Sequence, residues 1–268
     1  MSKGRAALVT GSTRGIGQAI ARALAADGCN VMLNGFGKDD AIEKDRAAMA
    51  EEHGVEVRYS GSDLSVEDEV DALTRATEDA FGSVDILVNN AVIRYFHDIE
   101  KFDRKDWAHA MAVNVTAPFL LTQNVLPGMR QRGWGRIVNF SSVLGLAARS
   151  GRADYVTAKT AMLGITRATA AETRSEPNIT CNAICPGSVL TPNTEIKIGE
   201  LAEEAGLSFD EAKGEYLRRR GQTTGYIEPA RVARLVAYLC GEEASDITGA
   251  AIPIDRGRSA TWLDSGNG

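Results

Sequence analysis

The stretch TGSTRGIG, Thr10–Gly17, decides the fold class of this 268-residue chain. It follows a short apolar run, Ala6–Thr10, and precedes a helical pattern with Ile16 and Ile20 on one face. This order of strand, glycine-rich turn and helix is typical of a dinucleotide-binding site. Backbone N–H groups and the helix N-terminus there hold the pyrophosphate. Glycine is needed there because the backbone must turn sharply and approach the phosphates without a Cβ atom.

The alternation of strand and helix continues along the chain. Consecutive βα units predict a parallel sheet with helices on both faces, with ligands bound at the carboxyl ends of the strands. The predicted fold class is therefore α/β, a single-domain Rossmann fold spanning residues 1–268 with a doubly wound parallel sheet of about seven strands. After the first strand, the predicted strands are Asn30–Asn34, Val55–Tyr59, Val84–Asn89, Arg136–Phe140, Ile179–Ile184 and Ala250–Ile254.

One long insertion, between Pro186 and Glu228, interrupts this rhythm. Its pattern predicts two helices, Glu195–Ala205 and Ser208–Arg219, the second of which opens with a capping box. Long excursions between regular elements are usually functional or disordered, and helical patterning favours function. We therefore predict a helical substrate lid at about 188–227.

The composition excludes several classes of protein. A net charge of −6 argues against a nucleic-acid partner, and the one basic run, Arg218–Arg220, is interpreted as a solvated helix end. We expect no membrane partner, because no apolar run approaches the roughly 18 residues that a membrane helix needs. The N-terminus lacks a secretory pattern, and the four cysteines lack metal-ligand spacing, so we expect a cytoplasmic protein with reduced, buried thiols and no metal.

Tyr155 and Lys159 carry the predicted chemistry. They lie four residues apart on a predicted helix, so both project from the same face. A nearby cation favours the phenolate and lowers the tyrosine pKa from its usual value of about 10 toward the range of a base at neutral pH. Ser142, at the end of the fifth strand, is placed to hydrogen-bond the substrate oxygen, and Asn114 is suited to hold water in a proton path.

The residues after the second strand do not settle the choice between NAD and NADP. Neither the acidic residue that holds an NAD ribose nor a basic residue for the 2′-phosphate of NADP is in the expected place. Phe36 either packs against the adenosine or has a purely structural role. Arg14 and Lys38 either bind the 2′-phosphate of NADP or are exposed to solvent. Asp63 and Asn90 follow the third and fourth strands and are interpreted as ligand contacts.

Taken together, these motifs resemble the short-chain dehydrogenase/reductase family over essentially the whole chain. The resemblance implies a catalytic tetrad in which Tyr155 is the acid/base, Ser142 orients the substrate, Lys159 binds the ribose and lowers the tyrosine pKa, and Asn114 supports a proton relay. It also implies a homo-tetramer. The cofactor contacts that it implies are Gly11, Thr13, Arg14, Gly15, Ile16, Gly17, Phe36, Asp63, Leu64, Asn90, Tyr155, Lys159, Pro186, Gly187, Val189 and Thr191.

A narrower resemblance is to the D-3-hydroxybutyrate dehydrogenases. It is carried by Leu33–Gly37, by Asn182–Gly187 and by the length and character of the lid. Those enzymes use NAD, so the resemblance favours NAD, with NADP as the alternative.

The substrate pocket departs from that group. Its members usually carry Gln at Arg94, His at Leu144, Lys at Arg152, Trp at Ser188 and Gln near Lys197, and only the change to Arg152 keeps the charge. A site built on hydrogen bonds discriminates against molecules that cannot make them, so a different substrate is expected. We predict an anionic hydroxy acid larger than or different from 3-hydroxybutyrate, clamped by a guanidinium. The alternative is that Arg94 and Lys197 point to solvent.

Two further departures concern the wider family. Val92 stands where the family has Gly, close to the expected nicotinamide position, and Arg256 interrupts a C-terminal Asp-Gly-Gly pattern.

The alternatives for function are an NADPH-dependent 3-oxoacyl reductase, D-3-hydroxybutyrate dehydrogenase itself, a polyol dehydrogenase, and a nucleotide-sensing scaffold without turnover. The tail Ser259–Gly268 is either disordered or anchored by Trp262 and Leu263 on a neighbouring subunit.

Overall fold

A computed structural model describes residues 3–220 and 225–260, and Trp262 and Leu263 therefore lie outside the described residues. Within the described ranges, seven parallel strands form one sheet in the order β3-β2-β1-β4-β5-β6-β7. This confirms the predicted doubly wound parallel sheet. The strands are β1 Ala6–Val9, β2 Asn30–Asn34, β3 Val57–Ser60, β4 Ile86–Asn89, β5 Gly135–Phe140, β6 Ile179–Pro186 and β7 Ala251–Ile254.

Helices cover both faces of the sheet. In the described ranges, one helix follows each of β1, β2, β3 and β5, two helices lie between β4 and β5, and three lie between β6 and β7. The helices are α1 Gly15–Ala26, α2 Asp39–His53, α3 Glu67–Phe81, α4 Arg104–Met111, α5 Ala117–Arg132, α6 Ala153–Glu172, α7 Pro192–Ala205, α8 Phe209–Arg218 and α9 Pro229–Leu239.

Two hydrophobic cores lie on opposite faces of the sheet, because neighbouring residues of a strand point to opposite sides. Val9 of β1 packs with Ile20 of α1 and Val232 of α9. Its neighbour Leu8 packs in the second core, with Leu73 of α3 and Leu121 and Val125 of α5 among its members.

Helices α7 and α8 have a small hydrophobic cluster of their own. It contains Ile198 and Leu201 of α7, Ala212 and Leu217 of α8, and Tyr226. The two helices lie within the range predicted for the lid, and α8 begins with the expected capping box. This segment therefore packs separately from the two cores of the sheet.

One local feature differs from the regular helices expected after β4. The segment between α4 and α5, Ala112–Thr116, forms a π-helical turn that contains Asn114. Hydrophobic periodicity cannot reveal one extra residue in a helical turn, and such turns often occur at functional sites. None of the helices in the described ranges is long and apolar enough to cross a membrane.

Candidate active site

The loop between β1 and α1 needs glycine for two physical reasons. Gly11 and Gly15 have positive φ angles of 62° and 63°, a conformation that costs other residues energy. A Cβ atom on Gly11 would lie 2.8 Å from the Cα atom of Ala91, and one on Gly17 would overlap the carbonyl oxygen of Gly11. A side chain at Gly11 or Gly17 would therefore clash with the backbone packed around this turn.

The N-terminus of α1 is open to an anion. Arg14, the residue that precedes the helix, makes no side-chain capping hydrogen bond, and the first turn contains no acidic residue. The first N–H groups of a helix have no partner within the helix and carry a partial positive charge. The loop and helix therefore fit the pyrophosphate of a dinucleotide.

The side chains at the adenosine end vary in exposure. Phe36 is 64% exposed, and its carbonyl oxygen accepts a hydrogen bond of 2.9 Å from Thr13. Arg14 and Lys38 are exposed, whereas Leu64 is buried.

Asp63 and Asn90 both make hydrogen bonds within the protein. The carboxylate of Asp63 accepts from the backbone N–H and the hydroxyl of Ser65, which lowers the pKa of Asp63. The amide of Asn90 donates to the carbonyl oxygens of Thr10 at 2.9 Å and Gly11 at 3.1 Å. Asn90 thus fixes the glycine loop as well as lining the cavity described next.

Ser142, Tyr155 and Lys159 line one cavity of about 770 Å³ at the carboxyl ends of the strands. Helix α6 starts at Ala153, so Tyr155 lies in its first turn and Lys159 one turn later, with its Nζ atom 5.6 Å from the centre of the Tyr155 ring. The hydroxyl of Ser142 accepts a hydrogen bond of 3.1 Å from Leu144. The structure therefore brings the hydroxyl, phenol and ammonium groups together. Of the residues expected to hold the cofactor, the cavity is lined by Ile16, Asn90, Tyr155, Lys159, Pro186, Gly187, Val189 and Thr191.

Lys159 is buried, and its Nζ atom donates to the carbonyl oxygen of Phe140 at 2.6 Å. Burial, and secondarily the charge of Arg94, lowers the pKa of Lys159 to about 7. The ammonium has more donors than this one bond uses. Lys159 is therefore equipped to hold a hydroxyl or ribose oxygen in the cavity.

Gly145 is a close-packed position beside the site that the sequence does not single out. A Cβ atom on Gly145 would overlap the hydroxyl of Ser141 and lie 2.6 Å from the carbonyl oxygen of Lys159. Ser141 in turn donates to that same carbonyl at 2.7 Å. The 3₁₀ turn Val143–Gly145 thus packs directly on the turn of α6 that carries Lys159. The only signal in the sequence is a glycine three residues after Ser142.

Asn114 is buried and bonded to the segment that follows β4. Its side-chain oxygen accepts from the N–H of Ile93 at 3.0 Å, and its amide donates to the carbonyl oxygen of Ile93 at 2.9 Å. This pair of bonds ties the π-helical turn to the residue before Arg94. Asn114 therefore fixes one wall of the cavity.

The five residues expected to bind substrate, Arg94, Leu144, Arg152, Ser188 and Lys197, all line the cavity. Arg152 is 7% exposed, and its guanidinium carbon lies 4.7 Å from the centre of the Tyr155 ring. Its buried Nε atom has no hydrogen-bond partner among the described residues. Arg94 is exposed but lies 5.9 Å from the same ring centre, and Lys197 is half-buried.

The interpretation of Arg218–Arg220 as a solvated helix end is wrong for Arg220. Arg218 and Arg219 are exposed and form ion pairs with Glu215. Arg220 is half-buried, lines the cavity and donates to the hydroxyl of Tyr216 at 2.6 Å. The physical reason is helical spacing, since residues four apart share a face and Tyr216 faces inward.

The two departures from the expected pattern have different structural effects. Val92 lines the cavity and has an ordinary negative φ angle, so no backbone strain attends the loss of glycine there. Arg256 has a φ angle of 57°, in the left-handed region that favours glycine. Its side chain donates to the carbonyl oxygen of Tyr226 at 3.1 Å, which partly offsets that strain.

Comparison with known proteins shows the family of this chain. The short chain dehydrogenase family model matches residues 5–200. The D-beta-hydroxybutyrate dehydrogenase of Cupriavidus necator is 40% identical over 257 residues, covering 96% of this chain and 98% of that protein. The enzyme of the same name from Rhizobium meliloti is 38% identical, covering 96% and 99%.

A solved structure shares the fold closely. L-sorbose reductase from Gluconobacter frateurii, complexed with NADPH and L-sorbose, superposes with a TM-score of 0.89 at 28% identity, covering 94% of this chain and 95% of that one. The family match spans the glycine loop, Ser142, Tyr155 and Lys159. The chain belongs to the short-chain dehydrogenase/reductase family, whose members use NAD(P) to interconvert alcohols and ketones.

Proposed function

We propose that this chain oxidises and reduces an anionic hydroxy acid larger than or different from 3-hydroxybutyrate, with NAD as cofactor and Tyr155 as the acid/base. One observation carries the proposal. The phenol of Tyr155 lies in the same cavity as Arg94, Arg152 and Lys197. No carboxylate of the described residues lies within 4.0 Å of these three cations. An anionic substrate would supply the missing counter-charge.

In this proposal the protein's own groups handle the proton. The Tyr155 phenolate accepts the hydroxyl proton of the substrate during oxidation and returns it during reduction. Ser142 donates a hydrogen bond to the same oxygen as its charge changes. Lys159, when protonated, stabilises the phenolate. A bound nicotinamide supplies the acceptor for the hydride that leaves the carbinol carbon.

The side chains near Gly35 favour NAD over NADP. The first turn of α2 carries Asp39 and Asp40, directly after the loop that contains Phe36. Tyr59 donates to the carbonyl oxygen of Gly35 at 2.8 Å, and its pKa is raised by burial and by the charge of Asp39. Asp39 is therefore close enough to repel a 2′-phosphate at this end of the site.

The segment at about 188–227 is proposed to act as the substrate lid of a single domain. Thr194, Lys197, Leu201 and Glu204 recur at helical spacing on α7 and line the cavity. Because α7 and α8 pack on each other, they can move as a unit.

We also propose a homo-tetramer. Trp107 on α4 and Phe119 on α5 are 38% and 50% exposed, and large exposed aromatic side chains often mark interfaces. Light scattering during size-exclusion chromatography tests this, and a monomer in solution would contradict it.

The test is an absorbance assay of reduced nicotinamide. NAD and NADP are each supplied with 3-hydroxybutyrate, with longer 3-hydroxy acids, with their sulfonated and phosphorylated analogues, and with neutral polyols. We expect turnover of a bulky anion with NAD. Tyr155→Phe should lower kcat at least about 100-fold, whereas Tyr238→Phe, at an exposed position on α9, should not.

Other outcomes would select another function. Good turnover of 3-hydroxybutyrate would identify a D-3-hydroxybutyrate dehydrogenase with an altered pocket. Activity confined to NADPH and 3-oxoacyl thioesters would indicate a 3-oxoacyl reductase. Nucleotide binding without turnover of any substrate would support a nucleotide-sensing scaffold.

A further inference from the structure

The cavity is far more basic than the rest of the chain. Eight basic residues and three acidic residues, Asp98, Glu200 and Glu204, line it, although the chain as a whole has a net charge of −6. The positive charge of the cavity is therefore not a consequence of composition. The eight basic residues are Arg94, Arg149, Arg152, Lys159, Lys197, Arg219, Arg220 and Arg258.

Seven of these cations fall into two groups, and the eighth, Arg219, pairs with Glu215. Arg94, Arg152 and Lys159 lie within 6 Å of the centre of the Tyr155 ring. Lys197 belongs with them, because it lies over the Phe96 ring that Arg152 also contacts. A second arginine cluster, Arg149, Arg220 and Arg258, belongs to other elements of the fold. Arg220 stacks on Tyr216, with its guanidinium carbon 4.2 Å from the ring centre.

The second arginine cluster is held by backbone at the end of α8. Arg258 donates to the carbonyl oxygen of Arg220 at 2.6 Å, and Arg149 donates to that of Arg219 at 3.4 Å. The C-terminal end of a helix carries a partial negative charge that attracts such cations. Three separate parts of the chain thus place guanidinium groups around one spot.

For Arg149 and Arg220, no nearby carboxylate of the described residues relieves the repulsion between the cations. Arg149 and Arg220 have no carboxylate of the described residues within 4.0 Å. Burial lowers the pKa of Arg220, and the charges of Arg149 and Arg94 lower it further. Burial likewise lowers the pKa of Arg258, as do the charges of Arg149 and Arg220, whereas the charge of Asp255 raises it. An oxyanion would relieve this repulsion and could accept several guanidinium hydrogen bonds.

The three acidic residues that line the cavity do not neutralise the second arginine cluster. Asp98 pairs with Lys101 at 3.7 Å. Glu200 and Glu204 both lie on α7, so they place negative charge on the lid side of the cavity. A second oxyanion is therefore favoured on the side of Arg149 and Arg220 rather than against α7.

We infer that the substrate carries two anionic groups, one held by Arg152, Arg94 and Lys197 beside Tyr155, and the other held by the second arginine cluster. This inference rests on the proposed function. The substrate class is a hydroxy acid with a second carboxylate, sulfonate or phosphate group. The cavity of about 770 Å³ has room for such a molecule together with part of the cofactor.

The test compares substrates of equal carbon number that differ in one terminal charge. Straight-chain 3-hydroxy monoacids and 3-hydroxy diacids of five to eight carbons are assayed with NAD. We expect at least one diacid to exceed its matched monoacid about 10-fold or more in kcat/KM, as a charged hydrogen bond contributes. Arg220→Gln and Arg149→Gln should lower that ratio toward one, whereas Arg218→Gln, at an exposed neighbouring position, should leave it unchanged.

A calorimetric arm separates this inference from the proposed function. Binding of unreactive diacids and monoacids of the same lengths is measured for the same variants. Suppose that no compound is turned over, but diacids bind more tightly than monoacids and Arg220→Gln removes this difference in affinity. That result would support the second anion site and contradict the proposed reaction. The second anion site is overturned if monoacids are turned over and bound as well as diacids. In that case Arg220→Gln and Arg149→Gln also leave the diacid-to-monoacid ratios of kcat/KM and of affinity unchanged.

Discussion

The ammonium of Lys159 donates to the carbonyl oxygen of Phe140 across 2.6 Å, at the carboxyl end of β5. Burial lowers the pKa of this lysine to about 7, against an ordinary value of 10.5. Between these two pH values the unfolded chain binds a proton that the native chain does not. The contribution of Lys159 to the free energy of unfolding therefore rises with pH from about 7 to about 10.5.

We expect Lys159→Met to remove that pH dependence. The melting temperature of the variant relative to the wild type should be higher at pH 6 than at pH 9, because only the wild type carries the cost of a buried ammonium at pH 6. Scanning fluorimetry at both pH values measures this. Lys105→Met, at an exposed position on α4, is the control and should give equal differences. The expectation would be contradicted if the melting temperature of Lys159→Met differed from that of the wild type by the same amount at pH 6 and pH 9.

Arg152→Met should stabilise the fold and weaken substrate binding. Arg152 is buried beside Arg94, and its Nε atom has no partner among the described residues, so its removal relieves desolvation and repulsion. We expect a melting temperature higher by a few degrees and a KM for the anionic substrate raised about 10-fold or more. Arg167→Met, at an exposed position on α6, should change neither. A lower melting temperature with an unchanged KM would refute this role.

Gly145→Ala should reduce activity by displacing Lys159. The added methyl group would overlap the hydroxyl of Ser141 and press on the carbonyl oxygen of Lys159, so the 3₁₀ turn and α6 must separate. We expect a loss of stability of about 1–3 kcal/mol and a lower kcat. Gly164→Ala, on an exposed position of the same helix with open space around it, should instead stabilise by up to about 1 kcal/mol. Chemical denaturation and steady-state kinetics distinguish the two variants.

Asp39→Asn should reduce the selectivity of the enzyme for NAD over NADP. Removing one negative charge from the first turn of α2 reduces repulsion of a 2′-phosphate. We expect the ratio of kcat/KM for NAD to that for NADP to fall several-fold. Asp68→Asn makes the same change in the first turn of α3, and the ratio should then stay constant. A wild-type preference for NADP would show that Asp39 does not select the cofactor.

The sequence predicted the elements of the fold and the helix that carries Tyr155 and Lys159 well, because both follow from local periodicity. The spacing of Tyr155 and Lys159 was enough to place them on one face of α6, and the glycine loop was enough to place α1 after β1. The strand ends moved by a residue or two, as in β3, predicted at Val55–Tyr59 and found at Val57–Ser60.

The remainder of the site depends on contacts between distant residues. Arg220 lines the cavity because Tyr216 and the apolar face of α8 turn inward, which the basic run itself does not reveal. Gly145 matters because of Lys159, fourteen positions later in the chain. Asn90 and Asp63 were interpreted as ligand contacts, yet their hydrogen bonds to the glycine loop and to Ser65 could be seen only in the folded chain.

The separate hydrophobic cluster of α7 and α8 has a consequence for how this family diversifies. Because Ile198, Leu201 and Leu217 pack within their own segment, substitutions there need not disturb the sheet or α6, which carries Tyr155 and Lys159. In its proposed role as the substrate lid, this segment can therefore vary to admit a different molecule while α6 and the cores of the sheet stay unchanged. Exchanging it between relatives is then a route to a new substrate range on the same scaffold.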